Sequence, residues 1–185
     1  HVNSVTVFAK CHHGMCYYPT KTGTVHPALG GRDLLGEQIE ALHREGIRAP
    51  IYTTVVWEED VARRFPEWRQ MTKEGHFAGW SVGPDGKPGH VATWQFNNFL
   101  DPRYQDYFEA HLREICSRYS DAVDGFFVDI LFFAGDACWS DASRKFREKL
   151  GLTGDDPDTF ARFQGAAQGA FAKKFTRIVR GLSPK

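Results

Sequence analysis

Asp121-Ala-Val-Asp-Gly-Phe-Phe-Val-Asp-Ile-Leu-Phe-Phe133 decides the fold, because from Gly125 to Phe133 it is apolar at every position except Asp129. Side chains of a strand alternate, so Phe126, Val128 and Ile130 share one face while Gly125, Phe127 and Asp129 share the other. Both faces are apolar apart from the acid. A strand of this kind belongs to a parallel α/β sheet covered by helices, and in such sheets the chemistry gathers at the carboxyl ends of the strands. Asp129 stands at that end. A carboxylate there must be hydrogen-bonded, paired, metal-bound or catalytic, since an isolated buried charge costs several kcal/mol. Its structural alternative is to cap the next helix or to hold an Arg from a neighbouring strand.

Outward from this strand the same pattern recurs twice. Ser4-Val-Thr-Val-Phe-Ala9 reads as a first strand, followed by the polar and aromatic loop Lys10-Cys-His-His-Gly-Met-Cys-Tyr-Tyr-Pro-Thr20. Leu34, Leu35, Ile39 and Leu42 make one helical stripe over residues 32–45, with Gly46 as its stop. Ala49-Pro-Ile-Tyr-Thr-Thr-Val-Val56 is then a second strand, ending at Trp57, Glu58, Glu59 and Asp60. Those acids either cap a helix that begins near Asp60 or face a cleft; Trp57 and Glu58 are candidate substrate contacts. Residues 65–99 form a long, Gly- and Pro-interrupted βα excursion in which Trp80, Trp94 and Asn98 are positioned to reach a ligand or to fill the loop's own core. Helical spacing returns at 102–119, with Asp101 as N-cap, and again at about 141–150 and 158–181.

The expected fold is therefore α/β, about three consecutive βα units with a long second βα loop, in one domain spanning residues 1–185. An eightfold barrel needs ~250 residues, so this order implies a partial (β/α)8 TIM barrel. Because the chain opens on His1 directly before a strand, it reads as a fragment whose first and later barrel strands lie elsewhere.

Composition narrows the function. Lys plus Arg and Asp plus Glu are both 23, which suggests no polyanionic partner such as nucleic acid. Fifteen Phe, six Tyr and five Trp serve equally for a core or for stacking on sugar rings. Cys11, Cys16, Cys116 and Cys138 match neither a zinc ribbon nor a disulfide framework and read as free thiols. No run of 18 apolar residues suggests a membrane partner, and no leader pattern assigns a compartment. His12 and His13 are adjacent and point apart in an extended chain, which disfavours a two-His metal site; a His here can hydrogen-bond a substrate hydroxyl, or simply be exposed. No cofactor or metal is expected.

The motif Ala9-Lys-Cys-His-His-Gly-Met-Cys-Tyr-Tyr-Pro-Thr-Lys21 followed by Gly31-Arg-Asp-Leu-Leu35 resembles the signature "AKHHDGF…WPSK…RDLV" of glycoside hydrolase family 29 α-L-fucosidases. Nearer still is the barrel family called hypothetical glycosyl hydrolase 6. Tyr52-Thr-Thr-Val-Val-Trp57, Phe65-Pro-Glu-Trp68, Pro102-Arg-Tyr-Gln-Asp-Tyr107 and Asp124-Gly-Phe-Phe-Val-Asp129 resemble it in order. The tract Ala137–Gly151 is similar to the Cys-rich segment of family 42 β-galactosidases, but only Cys138 of its cysteines is present, so no zinc site carries over.

The fucosidase resemblance implies that Asp129 is a catalytic nucleophile and that the loop histidines hold sugar hydroxyls. His12 matches the second of the family's two histidines, Cys11 stands at the first, and His13 stands where the family has Asp. The implied activity is a glycoside hydrolase, retaining and α-L-fucosidase-like or a related exo-glycosidase, with a carbohydrate as partner and Lys10, His12, His13, Trp57, Glu58, Trp80 and Asn98 as candidate substrate contacts. Lys10 or His12 nearby would favour an ionised Asp129. A retaining enzyme needs a second carboxyl roughly 5–5.5 Å from the first. Glu58 and Glu59 are the candidates within the chain, and a later strand outside it is the expected source. The alternatives are a carbohydrate-binding barrel without catalysis and, more remotely, a metal-dependent hydrolase.

Overall fold

The computed structural model describes residues 1–80, 93–135 and 137–182, the side chains of residues 79, 80 and 93 apart. In chain order the elements are β1 (Val7–Lys10), β2 (Met15–Cys16), β3 (Thr24–Val25), α1 (Leu34–Arg44), β4 (Ile51–Thr54), α2 (Glu59–Arg64), β5 (Gly79–Trp80), β6 (Thr93–Gln95), α3 (Pro102–Tyr119), β7 (Phe126–Asp129), α4 (Asp141–Leu150) and α5 (Pro157–Leu182). The main sheet has the order β3-β2-β1-β4-β7. Its last three strands are parallel, with Phe8, Tyr52 and Phe127 in one cross-strand row and Thr54 opposite Asp129. The fold is mixed α/β with a parallel-rich sheet, and β2 adds an antiparallel edge that the loop pattern did not reveal.

Helices start and stop where the side chains require. Asp33 accepts the Gly36 N–H at 2.9 Å at the head of α1, and Gly46, at φ 68°, ends it in a conformation that costs glycine little. Asp101 caps α3 through the Arg103 N–H at 2.9 Å, with Pro102 in the first turn, where no amide is needed. Leu35 and Ile39 of α1 and Ile115 of α3 pack on Val7, Ala9 and Ile51 in one cluster; α5 brings Phe163, Phe171 and Phe175 against Phe99, Phe108 and Phe133 in another. Each fully buried aliphatic or Phe side chain contributes about 1.5–3 kcal/mol.

This core lies on one face of the sheet. On the opposite face Phe8 is 43 % and Phe127 51 % exposed, with the Tyr52 ring between them at centroid distances of 4.3 and 5.5 Å. β7 is shorter than the apolar run around it. Ile130 has φ 59°, a region a β-branched residue rarely adopts, so the regular strand ends at Asp129 and the chain turns Phe133 into the helical core. The long excursion after β4 is closed by α2 and the β5–β6 hairpin.

The helix-side face also carries buried polar groups. His111 of α3 is fully enclosed, with Nδ1 3.0 Å from the Tyr18 hydroxyl and Nε2 3.2 Å from Thr53 Oγ1. Burial, reinforced by the nearby Lys10 charge, holds its imidazole well below the usual value and therefore neutral.

Candidate active site

Asp129 closes β7 on the face opposite the helical core. Its Oδ2 accepts a 2.9 Å hydrogen bond from the Tyr52 hydroxyl, and the same phenol oxygen is 2.6 Å from His12 Nε2. Tyr52 sits two residues below the Thr54–Asp129 row, a rise of about 6.6 Å that its phenol spans by leaning along the strand. Among the described residues neither a helix N-terminus nor an arginine meets the Asp129 carboxylate. Burial of the phenol, together with Asp129, raises the Tyr52 hydroxyl above its ordinary value, so it stays protonated and donates.

The direction of the chain of hydrogen bonds follows. With a carboxylate at Asp129 the phenol gives it its only proton; His12 must then donate through Nε2–H, leaving Nδ1 as an acceptor. His12 is held below the usual value by burial, an effect partly offset by Asp129 and reinforced by His13. A neutral imidazole with that tautomer can accept a proton from a sugar hydroxyl at Nδ1.

The loop that carries His12 is fixed from below. The carbonyl oxygens of His12 and His13 accept the Glu59 and Asp60 N–H groups at 3.3 and 3.1 Å, at the start of α2. Gly14 makes this docking possible. It has φ 80°, and a Cβ there would lie 2.9 Å from Glu58 Cγ and 3.0 Å from Asp60 Cβ. The two histidine rings diverge. His12 lies edge-on to Trp57 at 5.5 Å and to Trp94 at 5.2 Å, while His13 stacks on Trp94 at 5.6 Å. Trp57 and Trp94 are themselves 4.9 Å apart, forming an aromatic wall beside the Asp129–Tyr52–His12 chain.

Other residues singled out from the sequence are placed elsewhere. A β-bulge between Phe8 and Lys10 sets Lys10 opposite Thr53, whose side chain meets α3, and so turns Lys10 to the helix side. Its Nζ is 2.7 Å from Glu58 Oε1, and both side chains are 0 % exposed. The Tyr104 and Tyr107 hydroxyls donate to the Glu58 carboxylate, which completes a closed polar cluster. Lys10 and Glu58 thus hold each other beneath the sheet, with no surface open to a sugar. Glu59 is also engaged, by His13, Arg63 and the Trp94 N–H. Asn98 is buried, donating to Ser140 and Ser143 and accepting from the Leu100 N–H, and so ties the long loop to α4. The side chain of Trp80 lies outside the described residues. Cys138 is buried against the Arg147 guanidinium, 2.6 Å away.

Tyr52 is the site residue that sequence reasoning left out of its candidates, and Trp94 entered only as one of three loop residues able to reach a ligand or fill the loop's core. Tyr52 carried a signal, as the one phenol in an otherwise aliphatic and threonine strand, where a buried Tyr needs a partner. Trp94 carried less, because its backbone at φ 59° gives no warning in the sequence.

Residues 1–130 match the family described as hypothetical glycosyl hydrolase 6. The chain belongs to the hypothetical glycosyl hydrolase 6 family. No curated protein sequence matches it. Among solved structures, this family member is similar to α-L-fucosidase isoenzyme 2 from Paenibacillus thiaminolyticus, at 31 % identity and TM-score 0.77 over 99 % of the chain and 26 % of that protein. A family 29 α-L-fucosidase from Bacteroides thetaiotaomicron, trapped as a covalent intermediate, shares the fold at 19 % identity and TM-score 0.54, covering 98 % of this chain and 30 % of that one. So does a hypothetical protein from Ruminiclostridium thermocellum, at 11 % identity and TM-score 0.55, over 91 % of this chain and 78 % of that one. The glycosyl hydrolase 6 chain therefore spans about a quarter of the length of the Paenibacillus enzyme.

The hydrogen bond from Tyr52 to Asp129 can be tested by removing it alone. In the complete polypeptide Tyr52→Phe is expected to lower kcat by about 10- to 100-fold, the value of about 1.5–3 kcal/mol for a hydrogen bond to a charged group. KM should change little if Asp129 is the nucleophile, because the phenol then contacts the carboxylate and not the sugar. A kcat within twofold of wild type would show that Asp129 needs no such support.

Proposed function

We propose that this chain is part of a retaining glycoside hydrolase of α-L-fucosidase type, with Asp129 as nucleophile. The observation that carries the reading is the Asp129–Tyr52–His12 hydrogen-bond chain at the carboxyl end of a parallel strand, on the sheet face opposite the helical core. Asp129 attacks the anomeric carbon as the glycosidic C–O bond breaks, giving a glycosyl ester, and water then cleaves that ester. Tyr52 orients the carboxylate. His12 accepts a hydroxyl of the sugar, and Trp57 provides an apolar wall. The likeness to the Paenibacillus α-L-fucosidase supports fucose as the sugar.

A proton must reach the leaving oxygen. Glu58 and Glu59 are both occupied in internal pairs, which favours a donor from another part of a longer barrel. The exposed row Phe8–Phe127 supports this picture, as does an open apolar groove of about 590 Å³ beside β1, lined by Val5, Phe8, Leu34 and Leu42; further βα units of the same polypeptide would cover both.

The test is turnover of an aryl α-L-fucoside by the complete polypeptide, followed by proton NMR. The first sugar released is expected to be the α-anomer. Release of the β-anomer would replace retention by inversion, and binding of fucosides with no turnover would favour a carbohydrate-binding barrel.

A further inference from the structure

Beyond His12 the aromatic wall continues outward to an exposed edge. His13, whose side chain is 56 % exposed, lies parallel to the Trp94 indole, with 21° between the ring planes. One carboxylate holds the His13 ring and the Trp94 backbone amide. Glu59 is 5 % exposed; its Oε1 accepts the Trp94 N–H at 2.9 Å and its Oε2 meets His13 Nδ1 at 3.1 Å. Trp94 keeps φ 59°, a conformation that bulky residues rarely adopt and that persists only where the surroundings enforce it. Such enforced conformations gather at ligand contacts. The long second loop is thus held so that an indole bridges the nucleophile-side ring, His12, and the outer ring, His13.

We propose that Trp94 and His13 form the subsite for the leaving group, receiving the apolar C–H face of a second pyranose ring in the acceptor glycan. The proposal rests on the exo-glycosidase reading: with the terminal sugar at Asp129, only the leaving group extends past His12. Flat rings favour this ligand class, since a pyranose offers an apolar C–H face to an aromatic plane. The polar nitrogens of the exposed His13 ring at the rim also suit a hydroxyl-rich ligand better than an apolar one.

The test compares two substrates of the complete polypeptide, a fucosyl disaccharide and α-L-fucosyl fluoride, whose leaving group has no ring. Trp94→Ala should lower the disaccharide-to-fluoride ratio of kcat/KM by about tenfold, and His13→Ala should lower it in the same direction. Trp94→Phe, which keeps a flat ring, should restore most of that ratio even if absolute activity changes. An active Trp94→Ala enzyme with a ratio within twofold of wild type overturns the subsite and leaves the glycosidase reading standing. A wild-type protein inert towards both substrates overturns the glycosidase reading itself, and the subsite with it.

Discussion

Replacing Asp129 by alanine in the complete polypeptide should lower turnover of an activated aryl α-L-fucoside by several orders of magnitude while leaving the protein folded. The activity loss follows from the proposed role of nucleophile. Without the carboxylate no glycosyl ester forms, and an activated leaving group cannot compensate for a missing nucleophile. Retention of the fold follows from the surroundings. Asp129 is only partly buried, on the sheet face opposite the helical core, and among the described residues its carboxylate is hydrogen-bonded by the Tyr52 phenol. Circular dichroism and a denaturation midpoint near wild type would separate this outcome from unfolding.

The second large effect is on stability. Lys10 and Glu58 are a fully enclosed pair, and removing either partner leaves an uncompensated charge in the core. Lys10→Met and Glu58→Gln are each expected to cost about 3–5 kcal/mol in urea denaturation. The double variant should recover a large part of that loss, because it removes both charges and keeps an amide oxygen to accept from Tyr107, while Tyr104 still donates to the Val55 carbonyl. If these residues instead contacted substrate, the single variants would lose activity at unchanged stability. Single-variant losses below about 1 kcal/mol would contradict the sealed pair.

The strand carrying Asp129 and its parallel neighbours were legible because apolar alternation and strand-end chemistry are local properties of the sequence. Helices α1 and α3 were legible from their stripes and from caps such as Asp101. What escaped depended on register. A one-residue bulge before Lys10 turned that lysine to the helix side, and nothing in Phe8-Ala9-Lys10 announces it. Glu58 followed Lys10 for the same reason, as its partner. Asn98 looked free in a long loop and instead satisfies the start of α4, a contact 42 residues away along the chain. Trp57 ends the intervening strand and was a candidate substrate contact, but the hydrogen-bonded link from Asp129 to His12 does not run through it. That link is made by Tyr52, five residues earlier, because the phenol lies along the strand instead of across it.

Azide offers the most direct test of Asp129 as nucleophile. The carboxylate removed in Asp129→Ala leaves space on one face of the sugar, and a small anion entering there attacks the anomeric carbon as the leaving group departs. Adding azide to the folded alanine variant with an aryl α-L-fucoside should restore turnover and yield β-L-fucosyl azide, identified by NMR. A folded Asp129→Ala protein that keeps full activity without azide, or that stays inactive with it and yields no glycosyl azide, would contradict the assignment.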